Sequence, residues 1–337
     1  MTVQFSSRTP RRPHHPRRTS SRSTASRGSR NGGDDASRFD LYQTVTDQIV
    51  QLLEAGTAPW RSSVLGTPLG RPTSLVTGRP YRGVNVFLLA MAGLAGGHAS
   101  AYWTTYRQAQ ALGGQVRKGE KGTLVVFWKM LDGEQVDPET GRPDKRFVLR
   151  YFRVWNACQC DGLTPPDAGD VPTPREHEPI DLADRVLAGF AAPRGPAVRH
   201  GEFPAASYSP SADEVRMPFT GRYADMPGFY CDCFHELGHS TGHKLRLDRW
   251  GEAGPATSFR SDSYSREELV AEMTAAFLCE HCGLSPQTIE NSASYLAGWV
   301  ERLKGDKRLI VTAAGQAQKA ADLILGTSFE PTGDEAE

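Results

Sequence analysis

Apolar residues at Leu41, Val45, Ile49 and Leu52/Leu53 recur every three to four positions through FDLYQTVTDQIVQLLEAG. That is the period of a helix with one buried face, and Gly56 stands where a C-cap would end it. After a Pro/Gly-punctuated loop ending in TGRPYRG, the run NVFLLAMAGLAG predicts a second helix and TTYRQAQALGG a third, stopped by Gly113-Gly114. The pattern then changes. TLVVFWKML and RFVLRYFRVWN are dense in β-branched and aromatic residues, which predicts two paired strands, and the polar DGEQVDPETGRPDK between them reads as a long hairpin loop. Between Cys160 and Glu178 the chain turns rich in Pro and Asp. Beyond it lie a helix at IDLADRVLAGF, short extended pieces at AVRHG and DEVRMP, and a mainly helical region to about Leu325.

This pattern predicts an α+β protein of two domains. One, at 38–162, is built on helices and a β-hairpin. The other, at 179–326, is mainly helical. Residues 163–178 form the linker and 327–337 an acidic tail. A chain of 337 residues is long enough for two cores of ordinary size.

The 39 basic and 39 acidic residues cancel, so net charge alone names no partner. The charge is unevenly spread, however. From Met1 to Gly33 the chain holds Arg8, Arg11, Arg12, Arg17, Arg18, Arg22, Arg27 and Arg30, no acidic residue, and otherwise mostly Ser, Thr, Pro and Gly. Such a composition buries too little apolar surface to order itself, so residues 1–37 read as a disordered cationic arm, either solvated or touching phosphates. No apolar stretch follows these arginines as a secretory or twin-arginine signal requires. No run approaches the roughly 18 apolar residues of a membrane span. A cytoplasmic protein without a membrane partner is expected. Its six cysteines come as Cys158/Cys160, Cys231/Cys233 and Cys279/Cys282; only the last pair has metal-binding C-x2-C spacing, and it lies in an apolar helical run, where small buried hydrophobes are the expectation.

Chemistry concentrates in FHELGHSTGHKLRL. His235-Glu236-Leu237-Gly238-His239 is H-E-x-x-H. Residues four apart on a helix share a face, so both imidazoles can reach one ion, with Glu236 close enough to act on water as the catalytic base. A catalytic zinc takes three protein ligands and keeps an open position. In H-E-x-x-H-x-x-G-x-x-H the third would be a histidine, but Leu245 stands there and His243 comes two residues early. The remaining candidates are Glu268 and Glu272 in SREELVAEMTAAFL, four apart on a helix that Ser265 would cap. Glu268 is read as the ligand, the gluzincin arrangement, with Glu272 supporting a ligand histidine; the reverse assignment stays open. Tyr264 or Tyr208 would supply a donor to a tetrahedral oxyanion. A metal that only staples the fold is the alternative.

The segments TGRPYRGVN, YWTTYRQAQALGGQVRKGEKGTLVVFW, RVWNACQ, HELGHSTGHKLRLDR, SREELVAEMTAAFLC and LKGDKRLIVTAAGQAQKAAD closely resemble the ArdC-type antirestriction proteins, over roughly Phe39 to Leu325. The resemblance implies a single-stranded-DNA-binding domain joined to a zincin-like metallopeptidase domain. It also implies carriage by a plasmid or phage and protection of incoming DNA from host restriction during transfer. The metal pattern carries over at His235, Glu236, His239 and Glu268/Glu272, while Cys231 and Cys233 replace bulkier apolar residues. Aromatic platforms interleaved with cations suit a single strand, and in the first domain Arg82, Arg107, Arg117 and Lys118, with Tyr81 and Trp103 as stacking partners, are the expected contacts. Two functions follow. One is a DNA-bound zinc peptidase acting on an unknown protein, a restriction enzyme being one candidate. The other is a non-enzymatic shield on single-stranded DNA, with a structural or vestigial zinc site.

Overall fold

A computed structural model describes residues 40–61, 71–136, 143–166, 179–191, 194–251, 254, 262–284 and 293–328. The arginine-rich arm, most of the linker and most of the acidic tail lie outside these residues.

The first helix, α1 (Leu41–Glu54), starts where Asp40 accepts a hydrogen bond from the Gln43 amide, and it buries Leu41, Val45, Ile49 and Leu53 as the sequence period requires. Helix α2 (Val84–Ala95) is apolar almost all round and buried accordingly. The predicted third helix is shorter than its apolar pattern. Tyr102–Thr105 forms strand β2, and only Tyr106–Ala111 is helical (α3), because Thr105 and Gln108 make a reciprocal capping box that fixes the start there.

Strand β4 (Thr123–Val136) pairs antiparallel with β5 (Pro143–Asn156) in the expected hairpin, whose strands extend into residues assigned to the loop. With the short β1 (Thr73–Ser74) they make a four-stranded sheet ordered β1-β2-β5-β4. The Asn85 side chain donates to the Val126 carbonyl and accepts from its amide, so α2 satisfies the β4 edge at that one residue as another strand would. A two-stranded pair, β3 (Gln115–Val116) with β6 (Cys160–Asp161), completes this half.

The C-terminal half contains α4 (Pro179–Ala191) and a three-stranded sheet of β7 (Ala197–Gly201), β8 (Ser207–Ser209) and β9 (Glu214–Pro218). Four helices follow: α5 (Met226–Ser240), α6 (Asp262–Cys282), α7 (Ala293–Gly305) and α8 (Leu309–Leu325). The expected α+β division into a helix-and-hairpin half and a mainly helical half is borne out.

The two halves nevertheless share one apolar core. Phe87 of α2 stacks on Phe277 of α6 with ring centroids 5.2 Å apart, and Trp60 meets Trp299 edge-on at 5.8 Å. Polar contacts cross the same boundary. Arg71 donates to Gln318 at 2.8 Å and lies 3.6 Å from Glu280, while Arg82 pairs with Asp322. The described residues from Asp40 onward fall in a single compact unit.

Candidate metal centre

Helix α5 begins at Asp225, whose carboxylate accepts the Gly228 amide at 2.7 Å, with Pro227 in the first turn. It buries Phe229, Tyr230, Cys233, Phe234 and Leu237. These residues fix the helix's rotation and turn His235 and His239 toward α6. The approach of the two helices is set at Gly238. A Cβ there would lie 3.1 Å from the Ala271 Cα and 3.2 Å from the Thr274 Cβ, so glycine lets the backbones close. Glu268, almost one turn before Ala271, is thereby brought to the two imidazoles.

The three donors form a small triangle. The Nε2 atoms of His235 and His239 are 3.0 Å apart, and each lies 3.5 Å from a Glu268 oxygen. Among the described residues this is the group of His, Cys, Asp or Glu with ligand atoms close enough to hold an ion. Metal–donor distances of 2.0–2.2 Å at tetrahedral angles separate donors by about 3.4 Å, which the observed distances bracket. Two imidazoles and a carboxylate are a zinc donor set, so the residues fit the ion.

Acid residues crowd the site. Burial disfavours a charge on His235, but a hydrogen bond to Glu268 and the carboxylates of Glu272, Glu236 and Glu268 outweigh it and raise its pKa to about 9. Burial likewise opposes ionisation of Glu268, yet the His235 hydrogen bond, the charges of His239 and His235 and a hydrogen bond from Tyr264 hold it at about 2. Tyr264 keeps its proton, through burial and through that bond.

The structure places the other sequence candidates unequally. Glu272 accepts from the Tyr295 hydroxyl at 3.1 Å, and that hydroxyl accepts from the Trp60 indole at 2.9 Å. Tyr208 donates to Asp213 at 2.6 Å and accepts from Arg246 at 3.1 Å, bracing the turn after α5 rather than serving an oxyanion. Leu245 is 75% exposed. Ser265 caps nothing, since α6 begins three residues earlier and Ser265 is buried within it.

The support of His239 comes from a residue the sequence reading passed over. Glu267 lies 3.5 Å from the His239 Nδ1 and accepts a hydrogen bond from the Arg249 Nε at 3.1 Å. Arg249 also donates to the Gly238 carbonyl and the Thr241 hydroxyl. The adjacent acid in SREEL was the available signal, since Glu267 and Glu268 at neighbouring positions can address opposite sides of one imidazole. The cysteines regroup as well: all six are free thiols, and Cys231 of α5 shares a hydrogen bond with Cys279 of α6.

In the N-terminal half Arg107 and Lys118 are exposed, as a phosphate contact requires. Trp103 is 2% exposed and packs with Leu89, Val125 and Val154, so it is a core residue and not a stacking platform; its alternation on β2 turns it inward. Tyr81 is half-buried against Phe127, and Arg82 is engaged with Asp322. Arg117 binds Glu120 and donates to the Cys158 carbonyl at 2.6 Å, which makes it part of the loop's own framework.

Residues 39–155 match the family described as the N-terminal domain of anti-restriction factor ArdC, and residues 186–316 match a zincin-like metallopeptidase family. The metal-free crystal structure of antirestriction protein ArdC from plasmid R388 is 41% identical with a TM-score of 0.66, covering 85% of this chain and 97% of that one. The chain belongs to the ArdC antirestriction family. A Mn(II)-bound structure of the R388 ArdC protein is 39% identical, again with a TM-score of 0.66, and covers 86% of this chain and 98% of that one. The chain is also similar to an uncharacterised protein y4eC of Sinorhizobium fredii, 40% identical over 292 residues, 84% of this chain and 91% of that protein. A DNA primase TraC of Escherichia coli is 34% identical over 305 residues, which are 85% of this chain but 27% of the primase. Among the described residues of this ArdC chain, no helix is long and apolar enough to cross a membrane.

Proposed function

We propose that this ArdC-type protein binds single-stranded DNA through its N-terminal half and cleaves a peptide bond of a protein at the centre on α5 and α6, so protecting a plasmid or phage genome as it enters a new host. The observation that carries the peptidase half is the donor triangle of His235, His239 and Glu268 with Glu236 in the same helical turn. His235, His239 and Glu268 would hold zinc. When bound, zinc supplies a water acidified toward a pKa of roughly 7 and a Lewis acid for the substrate carbonyl.

The protein's own groups do the rest. Glu236 takes the proton of the attacking water and later delivers it to the leaving amine. Tyr264, protonated at neutral pH, gives its one proton to Glu268 in this state, and would serve the developing oxyanion by turning from Glu268 once that carboxylate faces the ion. Glu267 and Arg249 keep His239 in register on the far side of its ring.

The test is Glu236→Gln, with metal content and protection of conjugated DNA against a restriction enzyme measured together. The variant should keep its zinc and lose protection. Full protection with metal retained would sink the peptidase reading and leave a DNA-binding shield.

A further inference from the structure

Among the described residues, one face of the N-terminal sheet is buried along the first part of β4 and exposed along β5. Leu124 and Val126 are 1% and 6% exposed, yet Tyr151, directly opposite Val126, is 46% exposed. Side chains two apart on a strand share a face, so Tyr151, Arg153 and Trp155 line one side of β5. Trp128, opposite Leu149, is their diagonal neighbour on that face and is 47% exposed. At the other end Tyr106, 41% exposed, meets Trp155 edge-on with centroids 6.0 Å apart.

A single exposed aromatic needs no explanation. Here three aromatics and an arginine follow one another along about 20 Å of strand, at a rise of roughly 3.3 Å per residue, and Tyr106 of α3 continues the line at one end.

The loop between β3 and β4 brings cations to this stripe. The Trp155 indole donates to the Glu120 carbonyl at 3.3 Å, and its ring lies so close over Gly122 that a Cβ there would come within 2.8 Å of it. Lys118 and Lys121 are exposed on that loop, Arg117 lies beside them, and Arg107 is exposed next to Tyr106. With Arg153 these make five basic groups against two acids, Glu120 and Asp161, both paired with Arg117. The balance, five minus two, is +3.

We infer that the stripe Tyr106–Trp155–Arg153–Tyr151–Trp128 is the platform on which single-stranded DNA lies, its bases on the rings and its phosphates on Arg107, Lys118 and Lys121. This rests on the DNA-binding half of the function proposed above and replaces the contacts expected at Trp103 and Arg82. The exposed rings of Tyr106, Tyr151 and Trp128 suit the bases of an unstacked strand, while Trp155, half-buried against Ala109 and Val116, and Arg153, which donates to the Gly122 carbonyl at 2.9 Å, hold the line between them. Stacking on a ring reads no base edge. Binding is therefore sequence-tolerant and salt-sensitive.

The test is fluorescence anisotropy of a labelled 20-nucleotide oligothymidylate with the full chain across a salt series. Tyr106→Ala and Tyr151→Ala are exposed substitutions, and circular dichroism confirms that both variants fold. Each ring lost from a base should weaken binding by about fivefold to a hundredfold. Lys118→Ala with Arg107→Ala should lower the slope of log affinity against log salt by about 1.4, or about 0.7 per cation on a single strand. Wild-type binding with both tyrosine variants within twofold of it would overturn the stripe while leaving DNA binding in place. A duplex bound as tightly, with the tyrosine variants unaffected, would reduce the surface to electrostatics and overturn it too. No binding by the wild type would overturn the DNA half of the proposed function itself.

Discussion

Removing Glu267 should weaken the metal centre without touching a ligand. Its carboxylate stands 3.5 Å from the His239 Nδ1, too long for a good hydrogen bond but close enough to orient the ring. Glu267 is 14% exposed and Arg249 6%, so their ion pair is largely buried. Two costs follow from Glu267→Ala. Loss of an outer partner of a ligand histidine typically lowers metal affinity about 10- to 100-fold, or roughly 1.4–2.8 kcal/mol. Leaving Arg249 buried without its counter-charge costs about 3–5 kcal/mol of folding stability.

The second effect could mimic the first by loosening the fold, so the informative variant is Glu267→Gln combined with Arg249→Met. It removes both charges, should recover most of the stability, and should still bind zinc at least tenfold more weakly than wild type. Competition against a chromogenic chelator measures the affinity, and denaturant unfolding in the presence of a chelator measures the stability. Zinc affinity within twofold of wild type in the double variant would refute the role given to Glu267.

The ligand assignment is checked by metal content: His239→Ala and Glu268→Ala should lose zinc, while Glu272→Ala, whose carboxylate is bonded to Tyr295, should retain it. Gly238→Ala should push α5 and α6 apart at Ala271, costing about 1–3 kcal/mol of stability and weakening the metal; unchanged melting would show that the helices do not meet as described. Phe87→Ala removes a fully buried ring and should cost about 3–5 kcal/mol, with both halves lost in one transition, whereas two resolved transitions in calorimetry would contradict the shared core. Burial works against ionisation of Asp213, but hydrogen bonds from Arg246 and Tyr208 and the arginine's charge outweigh it and hold its carboxyl below the usual range. The stability from this pair is then complete above the unfolded value of about 3.9 and lost as pH falls through the lower folded value. Asp213→Asn should therefore be less stable at pH 7 and show a shallower acid loss; parallel pH curves would refute this.

Periodicity made most elements legible, because Leu41 to Leu53 and the TLVVFWKML/RFVLRYFRVWN pair state their burial in their own spacing. Two corners of the donor triangle were legible for a similar reason: His235 and His239 share a helical face whatever surrounds them, whereas spacing alone left Glu268 and Glu272 open as the third. What the sequence hid depended on contacts distant along the chain. Trp103 has an aromatic among cations for neighbours in sequence, but β2 turns it onto Leu89 and Val154. Arg82 reads as a free cation until α8 brings Asp322 to it from 240 positions away. Glu267 was overlooked because its role is set by Arg249, which reaches it only after the chain turns back behind α5. The strands β1, β3, β6 and β8 are two or three residues long, too short for any period to show.

The core shared by the two halves limits how such a protein can be cut and inherited. A fragment ending near the linker would present Phe87 and Trp60 to water and leave Arg71 without Glu280, and the complementary fragment would expose Phe277 and Trp299. Recombination that separates the halves should yield insoluble products, while recombination that moves residues 40–326 together transplants a finished object. The TraC match has that second form, with both halves present in a chain several times longer. What mobile DNA can exchange here is the pair.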